Sequence, residues 1–157
     1  MSDPLTAFTV TVDLDVSADH FDEQGHLNNV GFLRLFEQLR REYMFNSGRL
    51  RREMLPVGLV VGVRELVCRY EAEVMPGQPL RGGCRVLGRS ERSYLFDEIL
   101  AVESRVVARC RVLECVIDRE QGKAVPIPDE FWALFERVEG RLMPPGKLPF
   151  PQSDWSL

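Results

Sequence analysis

Between Asp22 and Asn29 the chain reads Asp-Glu-Gln-Gly-His-Leu-Asn-Asn, which sets a carboxylate, a glycine, a histidine and two carboxamides in front of an amphipathic run. The start of a helix exposes unpaired backbone N–H groups and a partial positive charge, so it can hold a carbonyl oxygen that becomes an oxyanion. Asn28 or Asn29 supplies a preferred N-cap, and Gly25 lets backbone approach a ligand closely. The plain alternative is that Asp22, lying before a glycine-containing turn, is a turn or cap residue and nothing more.

The elements that must position these residues follow from periodicity. Phe8, Val10, Val12 and Leu14 alternate with polar neighbours across Leu5 to Asp15, the pattern of a half-buried strand. From Val30 onward, Phe32, Leu35, Phe36, Leu39 and Tyr43 share one stripe, which predicts a helix of about 16 residues ending near Gly48. Four β-rich runs follow, about Gly58 to Met75, Gln78 to Arg89, Ser93 to Glu103 and Ser104 to Arg119. Turn material such as MPGQP and GRSER separates them, as in a meander. A second helix is expected in PDEFWALFERVEG, then a Pro-rich tail over about 141–157. This order predicts an α+β fold, one curved antiparallel sheet wrapping the first helix. One helix cannot cover both faces, so the other face or the sheet edge is expected to meet another subunit.

Composition narrows the function classes. The 157 residues suit one domain with its own core, and 45% hydrophobic with 28% charged residues is the balance of a globular protein. The formal charge of −4 is too mild, and of the wrong sign, for a nucleic-acid or anionic-membrane binder. The N-terminus lacks the pattern of a signal peptide and no apolar run approaches the roughly 20 residues of a membrane span, so a cytoplasmic location is expected. Cys68, Cys84, Cys110 and Cys115 show no CxxC spacing and read as buried free thiols. With only His20 and His26 as histidines, no metal site is expected.

Asp22-x-x-Gly25-His26-Leu27-Asn28-Asn29 with FLRLFEQLRREY, then CRYEAEVMPGQPL, GRSERSYLFDEIL and RVLECVIDREQGKAVPIPDEF, in that order, resemble the 4-hydroxybenzoyl-CoA thioesterase branch of the hotdog-fold acyl-CoA thioesterases. The resemblance implies the hotdog fold, hydrolysis of an acyl-CoA or acyl-carrier-protein thioester, no cofactor or metal, and a homotetramer built as a dimer of dimers with sites at subunit interfaces. It implies that Asp22 acts as general base or as nucleophile, with the carbonyl polarised by the amide of Asn29 or its neighbours, while Gly25, His26 and Asn28 help to form the substrate site. Glu37 matches a mid-helix glutamate of the family. It is either a second acid or a surface partner of Arg34 and Arg41. One departure is His20, where relatives often carry an acidic residue.

Coenzyme A phosphates ask for cations. Arg89 and Arg92, with Ser90 and Ser93, in the GRSERS turn are candidates, as are Arg49, Arg51 and Arg52, although arginines in turns are more often simply solvated. Neither serine has a base in a recognisable triad arrangement. Two other classes stand beside the thioesterase: a noncatalytic hotdog sensor or scaffold, and a hotdog hydratase or dehydratase. The intact Asp22-to-His26 constellation speaks against the first. The lack of a His-Asp pairing at the helix start speaks against the second.

Overall fold

The computed structural model describes residues 2–46 and 55–150. In chain order the elements are β1 (Val10–Leu14), a 3-10 turn (Ala18–His20), α1 (Asn29–Arg41) running on as a π turn (Glu42–Asn46), β2 (Leu59–Tyr70), β3 (Leu80–Arg89), β4 (Ser93–Val102), β5 (Arg105–Asp118), β6 (Lys123–Ala124) and α2 (Asp129–Glu139). The apolar stripe predicted for α1 is its buried side: Phe32, Leu35, Phe36 and Leu39 lie against the sheet, and Tyr43 and Met44 continue it through the π turn. The Gly48 stop falls outside the described residues.

The sheet is antiparallel and curls around α1, the hotdog arrangement that the resemblance implied. Its order is β1-β3-β4-β5-β2, so the expected four-strand meander holds only for β3, β4 and β5. β2 pairs with β5 rather than β3. To reach β3 the chain must therefore cross the sheet, and residues 71–79 do so at the mouth of α1, where the Leu27 N–H donates to the Val74 carbonyl at 3.1 Å. That crossing builds the cleft described below.

α2 extends the same core. Its Phe131, Trp132 and Phe135 surround Tyr94 with ring centroids 6.2, 6.1 and 4.9 Å away. The convex face of the sheet is less bare than expected: Leu5 lies buried with Ile99 and Ala101, with Phe8 and Val106 packed against them. Beside them Asp97 takes Arg85 at 2.8 Å and Arg111 at 3.4 Å. The start of the tail is also packed, since the Trp132 indole N–H donates to the Met143 carbonyl at 2.9 Å. Among the described residues no helix is long and apolar enough to cross a membrane.

Candidate active site

The loop ahead of α1 is held by its own polar groups. Asp22 Oδ1 accepts the backbone N–H groups of Gln24 at 2.9 Å and His26 at 3.0 Å, and the Asp22 N–H donates to the His26 carbonyl at 2.8 Å. Gly25 supplies the positive φ of +80° that this turn requires. The turn-residue reading of Asp22 is thus correct for one carboxylate oxygen. The other, Oδ2, has no partner among the described residues, and the side chain is exposed.

Asn28 and Asn29 take different jobs. Asn28 is the N-cap, its Oδ1 accepting the Gly31 N–H at 2.8 Å, so its side chain is committed to the helix. Gly31 is fixed by close approach: a Cβ there would come within 2.5 Å of the His20 carbonyl oxygen. That contact seats the 3-10 turn on the helix, while the His20 imidazole Nδ1 accepts the Ser17 N–H at 3.0 Å. Asn29 is the first helical residue, and neither its N–H nor that of Val30 has a partner among the described residues. The Asn29 side chain accepts a short hydrogen bond from the Tyr70 hydroxyl.

Asp22, His26 and Asn29 meet in one open cleft of about 440 Å³, with Leu27, Phe32, Tyr70 and the crossing residues Glu71, Ala72 and Glu73 as its other walls. His26 leans toward Glu73, Nε2 to Oε2 3.8 Å. Glu71 is drawn away by Arg109 at 3.3 Å. Tyr70, Glu71 and Glu73 were not singled out in the sequence, although they lie in the CRYEAEV block that carried part of the resemblance.

The remaining candidates lie elsewhere. Glu37 does not line this cleft, and the expected ion pairs with Arg34 and Arg41 are not formed. Arg34 turns to Asp19 at 3.2 Å, and Glu37 borders a groove between α1 and β2 with Val63 and Leu66. Arg89 is buried, donates to the carbonyls of Ser90 and Glu91 at 3.0 and 3.3 Å, and stands 5.4 Å over the Trp132 ring, so it locks the hairpin and is not free to meet a phosphate. Ser90 and Ser93 are spent on each other: the Ser93 N–H donates to Ser90 Oγ at 3.2 Å and the Ser90 N–H to the Ser93 carbonyl at 2.8 Å. Arg92 alone of that turn keeps an exposed guanidinium, with one donor on the Ala124 carbonyl at 3.0 Å. Arg49, Arg51 and Arg52 lie outside the described residues.

Register places this hairpin far from the cleft. Ser93 pairs with Cys115 and Cys115 with Gly62, eight residues along β2 from Tyr70, or roughly 26 Å at the rise of an extended strand.

Deep under α1 lies a second polar group that the sequence reading missed. Arg40 pairs with Glu98 at 2.8 Å and Glu114 at 3.4 Å, and the Tyr94 hydroxyl donates to Glu114 at 2.7 Å, all buried. Glu98 Oε1 has no partner among the described residues, and burial, only partly offset by Arg40, pushes the Glu98 carboxyl up to about 8. Cys84, Cys110 and Cys68 flank Glu98 in one row across the strands. Burial pushes the Cys84 thiol well up, as expected of a core cysteine.

A curled antiparallel sheet around one helix, with a carboxylate and N–H groups unpartnered among the described residues at the helix mouth, defines a hotdog domain. Residues 16–135 match the thioesterase-like superfamily, and the chain belongs to that family. A curated protein of Aquifex aeolicus (strain VF5) is 26% identical over 109 residues, 69% of this chain and 84% of the relative. Among solved structures, a thioesterase from Thermus thermophilus complexed with coenzyme A and Zn superposes with a TM-score of 0.72 at 22% identity, covering 88% of this chain and 99% of that one. A 1,4-dihydroxy-2-naphthoyl-CoA thioesterase from Synechocystis gives 0.73 at 16% identity, covering 82% and 96%. At these identities the structural likeness speaks for the fold.

Proposed function

We propose that the protein hydrolyses the thioester of an acyl-CoA or acyl-carrier protein in the Asp22 cleft. The observation that carries this reading is that one cleft holds both a carboxylate with an unpartnered oxygen and the open N–H group of Asn29. Asp22 Oδ2 takes a proton from water while the water oxygen attacks the carbonyl carbon. Alternatively Oδ2 attacks that carbon itself, giving an anhydride that water opens. On either route the charge gathering on the carbonyl oxygen is met by the Asn29 N–H, the C–S bond breaks, and the sulfur leaves and is protonated to the thiol. Water is the only co-reactant, so no cofactor is needed.

The nucleotide is assigned to Arg92, and assembly supplies the geometry. β2 is a long edge strand carrying exposed Val63, Leu66, Val67 and Tyr70, the kind of edge that pairs with another chain. A two-fold pairing of β2 with its copy is antiparallel. It sets the Leu59 end of one strand beside the Tyr70 end of the other, bringing the GRSERS hairpin of one copy toward the cleft of its partner. Two such dimers then form the tetramer.

A panel of acyl-CoA and acyl-carrier-protein thioesters, with release of free thiol as the readout, tests the reading, and turnover of at least one class is expected. Tight binding throughout with no thiol released would make the protein a noncatalytic acyl-CoA binder. Arg92→Ala should raise KM with kcat little changed, more so at low salt, and an unchanged KM would remove Arg92 from the nucleotide site.

A further inference from the structure

Tyr70 ends β2 at the cleft, and its ring packs at 5.1 Å against Phe32, one turn along α1 from Asn29. Its hydroxyl donates to the Asn29 side-chain oxygen. An asparagine side chain has one acceptor oxygen and one NH₂ donor, and occupying the acceptor decides which way the donor points. The phenol is suited to the donor part: desolvation, with the neighbouring thiols of Cys68 and Cys110, holds it above its ordinary range and so protonated.

The consequence concerns the number of donors at the reacting oxygen. The helix mouth offers the Asn29 backbone N–H, while the Asn28 side chain is spent on Gly31. Of the side chains lining the cleft, Asp22, Glu71 and Glu73 are carboxylates that repel an oxyanion, and the His26 ring lies 3.8 Å from Glu73, so the Asn29 carboxamide is the donor on the same residue as the open N–H. A carboxamide free to flip would present its oxygen to the developing oxyanion half of the time and repel it.

We propose that Tyr70 is a positioning residue that pins the Asn29 carboxamide so that its NH₂ joins the backbone N–H of the same residue in holding the thioester carbonyl oxygen. This deepens the thioesterase reading and rests on it for its kinetic test. Tyr70 touches no reacting atom. It acts through Asn29.

The test is a double-mutant cycle on the best panel substrate, joined to a readout that needs no turnover. Tyr70→Phe keeps the ring on Phe32 and removes only the hydroxyl. It should lower kcat about tenfold, less than the 10²- to 10³-fold typical of deleting an oxyanion donor, and leave KM within about twofold. Asn29→Ala should lower kcat further, and the double variant should be no slower than Asn29→Ala alone. Multiplicative losses, or a Tyr70→Phe enzyme with wild-type kcat, would overturn the proposal. In the free ¹⁵N-labelled protein, Tyr70→Phe should move the Asn29 side-chain NH₂ resonances while the helix amides beyond the first turn stay in place. Unmoved NH₂ resonances would overturn it as well. If wild type hydrolyses nothing, the thioesterase reading falls, and the resonance experiment by itself decides whether Tyr70 pins Asn29.

Discussion

Asp22 spends one carboxylate oxygen on its own loop and keeps the other unpartnered among the described residues, which makes its substitution informative. Asp22→Asn keeps an acceptor for the Gln24 and His26 N–H groups, so the loop should hold, while the charge on which the proposed hydrolysis depends is gone. Hydrolysis should fall by about 10² to 10⁴, and more if Asp22 is the nucleophile. Calorimetric affinity for a nonhydrolysable acyl-CoA analogue should survive. A variant retaining more than about a tenth of wild-type kcat would assign the base to another group. That Asp22, His26 and Asn29 stand together at the mouth of α1 was legible from their order in the chain, while the roles expected of them came from the family resemblance, since a carboxylate before a glycine turn is ordinarily a turn or cap residue. What stayed illegible was the split between Asn28 and Asn29. Either could cap the helix by residue type, and only the Gly31 contact with the His20 carbonyl sets the register that makes Asn28 the cap.

At the scale of elements, α1 is tied to the sheet by the Arg40, Glu98 and Glu114 cluster as well as by its apolar stripe. The Glu98 carboxyl sits near 8 in the folded protein against an ordinary 4.5, so the folded state keeps a proton that the unfolded chain releases. The stabilisation from that retained proton is complete below pH 4.5. It declines as pH rises toward 8 by at most about 1.4 kcal/mol per unit, then levels off. Glu98→Gln should therefore melt close to wild type at pH 5 and above it at pH 9, and thermal melts at the two values measure this. A wild-type melting temperature that stays flat from pH 5 to 9, with the variant below it at both values, would mean that Glu98 is ionised in the fold. The elements themselves were readable from period-2 and helical spacing. Strand partners were not: run lengths and turns say nothing about which edge β2 joins, and long-range wrapping around α1 set β2 beside β5. The same limit explains Arg89, whose charge suggested a phosphate contact while its neighbour Trp132 lies 43 positions away in the chain.

For the whole molecule, the edge formed by β2 makes the assembly testable. Val63→Lys with Val67→Lys places like charges along a strand that would face its own copy, and should shift sedimentation at micromolar concentration toward the monomer. If the proposed assembly brings the hairpin of one copy to the cleft of another, turnover should fall with it. A wild type that sediments as a monomer would remove the shared site. The crossing over residues 71–79 has a further consequence, for how this architecture varies between lineages. It ties β2 to β3 and walls the cleft with the same few residues, anchored at Val74 and then running through an exposed MPGQP turn in which a side chain on Gly77 would meet nothing within 4 Å. The cleft is walled by residues 70–73 and not by that turn, so residues gained or lost there would leave the strand pairings and the cleft lining intact, and the crossing can change length while the fold stays constant.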